Sequence, residues 1–246
     1  MINHHIDTDK VAQNFAKAHP TYAKSAIVQQ AMCHHLMKLI ATHLPNAHPK
    51  RVLEIGCGVG NLTAIYTKRW QLDELYLNDL YDFGTQHHQA KRLIGDIESL
   101  DLPSVDMVLS SSALQWIKDL PRLLSHIYHA LPDSGVLAFS SFGQDNLKEI
   151  KALTSVGLDY HSMTDIKAML QVVGFDVVAT DYHPKILYFD HPKDILRHIK
   201  DTGVSVGTQA WTRSSLSAFY EGYDRFATDK GYPLTYDTLF VVAIKR

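Results

Sequence analysis

Glycines and acidic residues at the ends of successive apolar segments are the part of the sequence best suited to chemistry. The segment 52–63 reads Val-Leu-Glu-Ile-Gly-Cys-Gly-Val-Gly-Asn-Leu-Thr, and Asp79 and Asp96 each end a later apolar segment. Glycines at a turn between a strand and a helix let the backbone approach a ligand closely, at the sheet edge where such folds bind nucleotides. We therefore expect one ligand site built from several strand ends.

The charge around the glycines favours a cationic ligand over a pyrophosphate. The loop has GxGxG spacing rather than the GxGxxG of dinucleotide binders, and Glu54, directly before it, would repel a phosphate. S-adenosylmethionine carries a sulfonium and an ammonium group, which suit carbonyls, carboxylates and aromatic faces. Two alternatives stay open here: a tight turn without a ligand, and a nicotinamide-dependent oxidoreductase.

Each strand end has a predicted role towards S-adenosylmethionine. Asp79, about twenty residues beyond the glycines, is placed to accept both ribose hydroxyls, and Asp96 is placed to bind the adenine amino group while Ile97 packs on the ring. The loop 110–116 is expected to supply carbonyls and an aromatic wall beside the methyl group. The predicted cofactor-binding residues are Glu54, Gly56, Cys57, Gly58, Gly60, Asn61, Asp79, Leu80, Asp96, Ile97, Ser111 and Ser112.

Alternating strands and helices would position these residues. Short apolar runs predict strands at 51–56, 74–79, 91–96, 106–111 and 136–142, and an amphipathic pattern predicts a helix over 120–131. Five such units in series predict an α/β fold, a mostly parallel sheet with helices on both faces. Further helices are expected near 145–155, 163–173, 192–202 and 213–228, an extended stretch over 175–189, and a final strand over 238–244.

The chain is expected to form a single domain over residues 1–246. Its length allows one sizeable α/β core with an insertion. Residues 10–44 are predicted to be an N-terminal helical cap, broken at His19-Pro20-Thr21. Residues 191–236 are predicted to be an insertion that covers the ligand edge of the sheet as a substrate lid.

Composition excludes several classes of protein. The formal net charge of -2 is evenly mixed and gives no field to gather nucleic acid. No apolar run is long enough for a membrane span or a secretory signal, so a cytoplasmic location is expected. Cys33 and Cys57 are too few for a disulfide framework. The 15 histidines match no zinc spacing, so no metal site is expected.

The motifs resemble those of class I S-adenosylmethionine-dependent methyltransferases, and their details resemble one family, the malonyl-acyl-carrier protein O-methyltransferases of biotin synthesis (the BioC family). The resemblance implies a Rossmann-like sheet of seven strands. Leu53–Gly58 is common to the class, whereas other segments are more particular to the family. Residues that carry the finer resemblance are Phe15, Tyr22, Gly95–Leu100, Leu114–Trp116, Phe139–Gly143, Asp194–Val204 and Tyr232–Tyr236.

The resemblance implies methylation of the free carboxylate of a malonyl thioester, which starts pimeloyl synthesis for biotin. A carboxylate is ionised at neutral pH and needs no general base to attack the methyl group. The candidate residues for shaping the pocket and holding the substrate are Tyr22, Trp116, Arg197, Lys200 and Arg213. Ordinary packing or surface roles stay open for all five.

The expected partner is an acidic acyl carrier protein, which basic lid residues would favour. Coenzyme A stays open as the thioester carrier. A monomer is expected, with neither nucleic acid nor membrane as partner. Two other functions stay open: a methyltransferase that acts on a small free carboxylic acid, and a non-catalytic partner subunit of the same fold.

Overall fold

The protein is described by a computed structural model that covers residues 6–82, 84, 89–204 and 211–246. Eight α-helices and nine β-strands lie within these residues. The helices are α1 (Thr8–Ser25), α2 (Ile27–His43), α3 (Thr63–Arg69), α4 (Leu120–Ala130), α5 (Lys148–Thr154), α6 (Met163–Val173), α7 (Pro192–Asp201) and α8 (Arg213–Tyr223). The strands are β1 (Arg51–Ile55), β2 (Glu74–Asp79), β3 (Lys91–Ile94), β4 (Met107–Ser111), β5 (Val136–Phe142), β6 (Phe175–Tyr182), β7 (Lys185–Phe189), β8 (Tyr232–Tyr236) and β9 (Thr238–Lys245).

Seven strands form the central sheet, in the order β3-β2-β1-β4-β5-β9-β6. Strands β1 to β5 are parallel, whereas β9 runs antiparallel to both β5 and β6. The prediction of a mostly parallel seven-stranded sheet is confirmed. Strand order reverses at β1, because β2 lies on one side of it and β4 on the other. In such sheets, ligands bind in the crevice at the carboxyl ends of the strands beside this reversal.

Helices cover both faces of the sheet. Side chains alternate between the two faces along each strand, so the core has one apolar cluster on each face. In β1, Val52 packs with side chains of α2 such as Met32 and Leu36. The next residue, Leu53, packs on the opposite face with side chains of α4 and α6 such as Leu124 and Leu170. Successive strand residues point to opposite faces, so a continuous apolar run is what a strand buried on both sides requires.

The N-terminal segment is two helices, and the predicted break at residues 19–21 was wrong. Pro20 lies inside α1, which continues to Ser25, and the chain turns at Ala26. A proline removes one helical hydrogen bond. Here, contacts on both sides of the proline hold the helix: Ala18 is buried, and the Thr21 hydroxyl donates to the backbone oxygen of Asp201, the last residue of α7.

A small second sheet, formed by β7 and β8, lies outside the central one. Strand β8 was not predicted, because Pro233 argues against a strand in the interior of a sheet. In a two-stranded sheet both strands are edges, and Pro233 is accommodated opposite Tyr188. Helices α7 and α8 lie between β7 and β8 in the chain, and residues 205–210 of the predicted insertion are outside the described residues. Among the described helices, none is long and apolar enough to cross a membrane.

Candidate active site

The glycine turn after β1 lies in close contact with the end of β2 and with the loop after β4. The backbone N–H groups of Gly56 and Cys57 both donate to the backbone oxygen of Asn78, at 3.0 and 2.9 Å. Gly56 has a φ of +72°, and a Cβ there would lie 2.3 Å from the Cβ of Ala113. Only glycine fits this position. At Gly58, also with positive φ, a Cβ would meet nothing within 4 Å, so open space lies over the turn.

Asp79 sits at the end of β2 with its carboxylate fixed by the glycine turn. The Gly58 N–H donates to Asp79 Oδ2 at 2.8 Å, and the Asp79 backbone oxygen accepts from Gly95 N–H at 2.9 Å. Burial raises the pKa of Asp79 above its usual value, while the backbone N–H donors act in the opposite direction. A carboxylate has about four lone-pair positions, so this one can still accept hydrogen bonds from a ligand.

Asn78 joins the ends of β2 and β3 beside Asp79. Its side-chain Nδ2 donates to the backbone oxygens of Leu93 and Gly95, at 2.8 and 3.1 Å. Asp96 directly follows Gly95 in the chain. Its side chain accepts a hydrogen bond from the Glu98 N–H at 3.0 Å and so caps a short 3-10 turn, in which Ile97 is buried. The two acidic side chains are therefore fixed by local hydrogen bonds at neighbouring strand ends.

A cleft at these strand ends, which we name the strand-end cleft, brings many of the predicted residues together. Of the predicted set, the cleft wall includes Gly56, Asp79, Leu80, Asp96, Ile97, Ser111, Ser112, Tyr22 and Trp116. Its other lining residues are Val11, Phe15, Ile55, Asn78, Gly95, Ala113 and Ile117. Residues from β1, β2 and β4 thus meet residues that directly follow β3 at one hollow, as parallel strand ends should.

Glu54, Cys57, Gly58, Gly60 and Asn61 do not line the strand-end cleft. Glu54 is fully buried, and its Oε2 accepts hydrogen bonds from the hydroxyls of Thr63 and Tyr66, at 2.6 and 2.7 Å. Its carboxyl therefore fixes α3 beneath the glycine turn. Burial raises the pKa of Glu54 to about 7.

Three aromatic side chains in the wall of the strand-end cleft pack together through Phe15. The Phe15 ring packs edge-on against Tyr22, with centroids 6.2 Å apart, and against Trp116, with centroids 5.9 Å apart. Burial raises the pKa of Tyr22 well above its usual value, so its hydroxyl stays protonated. Phe15 was not among the predicted site residues, since one phenylalanine on an amphipathic helix looks like an ordinary core residue.

A second space, the inner cavity, lies next to the strand-end cleft. It has a volume of about 330 Å³ and shares Val11 and Trp116 with the cleft. Much of its wall is apolar, with Phe142, Leu147 and Ile150 among the lining residues. Its polar lining residues include Gln29, Gln115 and Asn146. A substrate in the inner cavity would reach the cleft beside Trp116.

A third space, the basic groove, lies between α1 and α7 and has a volume of about 770 Å³. It shares Asn14, Gly203 and Val204 with the inner cavity. Its charged lining residues are Lys17, Lys193, Arg197, Lys200 and Asp201. The cations outnumber the single acid in this groove, although the whole chain has a formal net charge of -2.

The three predicted basic residues do not line the strand-end cleft. Arg197 and Lys200 line the basic groove and neither of the two other spaces. Arg197 is exposed and forms a 3.0 Å ion pair with Asp194, one helical turn earlier. Arg213 is exposed at the start of α8 and lines none of the three. The hypothesis that these side chains hold the reacting group at the cleft finds no support in their positions.

Known proteins resemble the chain over nearly its whole length. The sequence profile of the methyltransferase domain family matches residues 25–180. The chain is 44% identical to malonyl-acyl-carrier protein O-methyltransferase of Acinetobacter baylyi, with 97% of each chain covered. It is 37% identical to the enzyme of the same name from Calditerrivibrio nitroreducens, with 95% of each covered. In fold it resembles an S-adenosylmethionine-dependent methyltransferase from Mesorhizobium loti, with a TM-score of 0.53, 16% identity, and 85% and 96% of the two chains covered.

Proposed function

The chain belongs to the family of malonyl-acyl-carrier protein O-methyltransferases, and we propose that it methylates the free carboxylate of a malonyl group carried as a thioester by acyl carrier protein. It is an S-adenosylmethionine-dependent methyltransferase. The observation that carries the substrate proposal is that the three spaces adjoin in order: the inner cavity shares lining residues with the strand-end cleft on one side and with the basic groove on the other. The methyl ester would start pimeloyl synthesis for biotin.

The strand-end cleft fits S-adenosylmethionine. Gly56 lies in the cleft wall and brings the backbone of the glycine turn against the ligand. Asp79 would accept hydrogen bonds from the ribose hydroxyls. It would use the carboxylate lone pairs that the backbone N–H groups of Gly58 and Tyr81 do not occupy. Asp96 would accept a hydrogen bond from the adenine amino group, and Leu80 and Ile97 would pack beside the adenine rings. The aromatic side chains of Phe15, Tyr22 and Trp116 would then lie towards the cationic methionine end.

The reaction needs no general base. When bound, S-adenosylmethionine supplies an electrophilic methyl group, which the carboxylate oxygen takes as the carbon–sulfur bond breaks, so that the methyl ester and S-adenosylhomocysteine form and no proton is moved. Carboxyl groups have pKa values near 4, so the substrate is ionised at neutral pH. The protein's contribution is to orient the carboxylate and to exclude water, which together can supply roughly 7–11 kcal/mol in favourable cases.

The basic groove is proposed to receive the carrier protein. Lys17, Lys193, Arg197 and Lys200 offer positive charge to an acidic partner, and such charges mainly affect the rate of encounter and the choice of partner. The segment 191–236, which contains α7 and α8, keeps its proposed role as a substrate lid. A monomeric state and a cytoplasmic location stay predictions.

Transfer of a labelled methyl group to three acceptors tests this function. The acceptors are malonyl-carrier protein, malonyl-coenzyme A and free malonate, each at the same concentration with labelled S-adenosylmethionine. We expect the highest kcat/KM with the carrier protein, because only that acceptor uses the basic groove fully. Equal rates with all three acceptors would contradict the role of the groove, and label in free malonate alone would contradict the thioester substrate.

A further inference from the structure

Two side chains beside the inner cavity have buried polar atoms without a hydrogen-bond partner. They are Nε1 of Trp116 and Oε1 of Gln29, and neither has a partner within the described part of the chain. Gln29 is only 7% exposed, and it lies on α2 in line with the buried residues Met32 and Leu36. Burial without a partner is unfavourable for an indole N–H or an amide. A bound ligand that supplied the partners would remove this cost.

The neighbouring glutamine differs in this respect. Gln115 also lines the inner cavity, but its Nε2 donates to the backbone oxygen of Ser112 at 2.6 Å, and its Oε1 accepts from the Ser141 hydroxyl. Its amide therefore joins the loop after β4 to strand β5. Among the described residues, neither the oxygen nor the nitrogen of the Gln29 side-chain amide forms a hydrogen bond, so this amide is available to a ligand.

Trp116 and Gln29 differ from Trp70, another buried side chain without a partner among the residues that the structure describes, in that they line the inner cavity. Trp70 also has a buried Nε1 without a partner in the described residues, but its ring packs in the core against Tyr66, with centroids 6.1 Å apart. Trp70 lines none of the three spaces. Trp116 lines both the strand-end cleft and the inner cavity, at the place where methyl donor and acceptor must meet.

We propose that Trp116 and Gln29 hold the substrate carboxylate, an inference that rests on the proposed function. The indole N–H of Trp116 donates to the carboxylate oxygen that does not react. A half-turn of the Gln29 amide exchanges its oxygen and nitrogen, so that an amide N–H takes the buried position of Oε1 and donates to the same carboxylate from α2. Both donors are uncharged. A guanidinium would engage both carboxylate oxygens at once and neutralise their charge. Single N–H donors orient the carboxylate and leave one oxygen free to attack.

The cations of the inner cavity are poorly placed for this role. Lys10 and Lys151 line it, but both are exposed to solvent, where their charges are screened. Lys151 also forms a 3.0 Å ion pair with Asp159. Gln29, by contrast, is buried, and a hydrogen bond from a buried donor to a charged oxygen is stronger than one made in water.

Kinetics of Trp116→Phe and Gln29→Leu with malonyl-carrier protein test the proposal, with Trp70→Phe as the matched control. Each of the first two variants should lower kcat/KM by about 10- to 100-fold, since each removes a hydrogen bond to a charged group. Affinity for S-adenosylmethionine, measured by calorimetry, should change little, because phenylalanine keeps an aromatic face at position 116 and Gln29 does not line the strand-end cleft. The melting temperature should not fall for Gln29→Leu, because an unpaired buried amide is replaced by an apolar group of similar size. Trp70→Phe should keep the wild-type kcat/KM.

The outcomes separate this proposal from the function on which it rests. A wild-type protein that transfers no methyl group to malonyl-carrier protein would overturn both. An active wild type whose Trp116→Phe and Gln29→Leu variants keep its kcat/KM would overturn only the role of these two residues. A loss in kcat/KM accompanied by an equal loss in Trp70→Phe, or by a lower melting temperature in both site variants, would show a structural role and overturn the proposal as well.

Discussion

The backbone N–H of Gly58 donates to the carboxylate of Asp79 across 2.8 Å, joining the glycine turn after β1 to the end of β2. This hydrogen bond fixes the carboxylate before any ligand arrives. A group that is already oriented loses less conformational freedom when it binds. The pair therefore explains how two motifs that are separate in the sequence act as one binding surface.

Replacing Asp79 should remove cofactor binding. Asp79→Ala deletes both the ribose acceptor and the partner of the Gly58 N–H, so we expect affinity for S-adenosylmethionine to fall by about 100-fold or more in calorimetry. Asp133→Ala, at an exposed turn before β5, is the control and should bind as the wild type does. Unchanged affinity in Asp79→Ala would remove the ribose assignment.

Alanine at Gly56 and at Gly58 should have different effects. At Gly56 the new Cβ would clash with Ala113 in a positive-φ conformation, so unfolding free energy should fall by about 2 to 5 kcal/mol in urea denaturation. At Gly58 no protein atom is in the way, and the loss should be only about 1 kcal/mol from backbone strain. Gly58→Ala should nevertheless bind S-adenosylmethionine more weakly, because strain at residue 58 displaces the N–H that fixes the Asp79 carboxylate. Equal destabilisation of the two variants would contradict this packing.

Glu54 should make the stability of the protein depend on pH. Its folded pKa is about 7, above the ordinary value of 4.5, so the folded state holds a proton that the unfolded state releases. Unfolding free energy should therefore fall as pH rises from about 4.5 to 7, by about 3 kcal/mol. Glu54→Gln keeps an oxygen for Thr63 and Tyr66 and should lack most of this fall in urea denaturation at pH 5 and pH 8. The same slope in both proteins would assign the pH dependence to other groups.

Reversing charge in the basic groove should impair use of the carrier protein alone. The double variant Lys193→Glu, Lys200→Glu should raise KM for malonyl-carrier protein about tenfold or more at low salt, with little change in kcat. The control is Lys68→Glu, Arg69→Glu, which reverses two exposed charges at the end of α3. Affinity for S-adenosylmethionine should be unchanged in both. Equal effects of the two double variants on KM would contradict a specific role for the groove.

The sheet and the strand-end residues could be predicted because each depends on local sequence. An apolar run followed by a glycine or an aspartate marks a buried strand and its carboxyl end, and parallel strands place those ends together. The orientation of Glu54 was also encoded. Side chains alternate along a strand, so Glu54, two residues after Val52, faces the same side of the sheet as Val52, towards α2 and α3.

Features that depend on packing between distant segments were not predictable in the same way. Nothing in the sequence pairs Phe15 with Trp116 or places α1 against α7, because these contacts depend on how helices cross the finished sheet. One signal was available and missed. Gln29 is a polar residue on the apolar face of α2, three residues before Met32 and seven before Leu36, and such an exception often marks a functional site.

The decisive measurement is the mass of malonyl-carrier protein after incubation with S-adenosylmethionine and this enzyme. We expect a gain of one methyl group per carrier, placed by fragmentation on the terminal carboxyl oxygen of the malonyl group. We expect no gain when the enzyme is the Asp79→Ala variant. An unchanged mass, or a methyl group located on carbon, would contradict the proposed function.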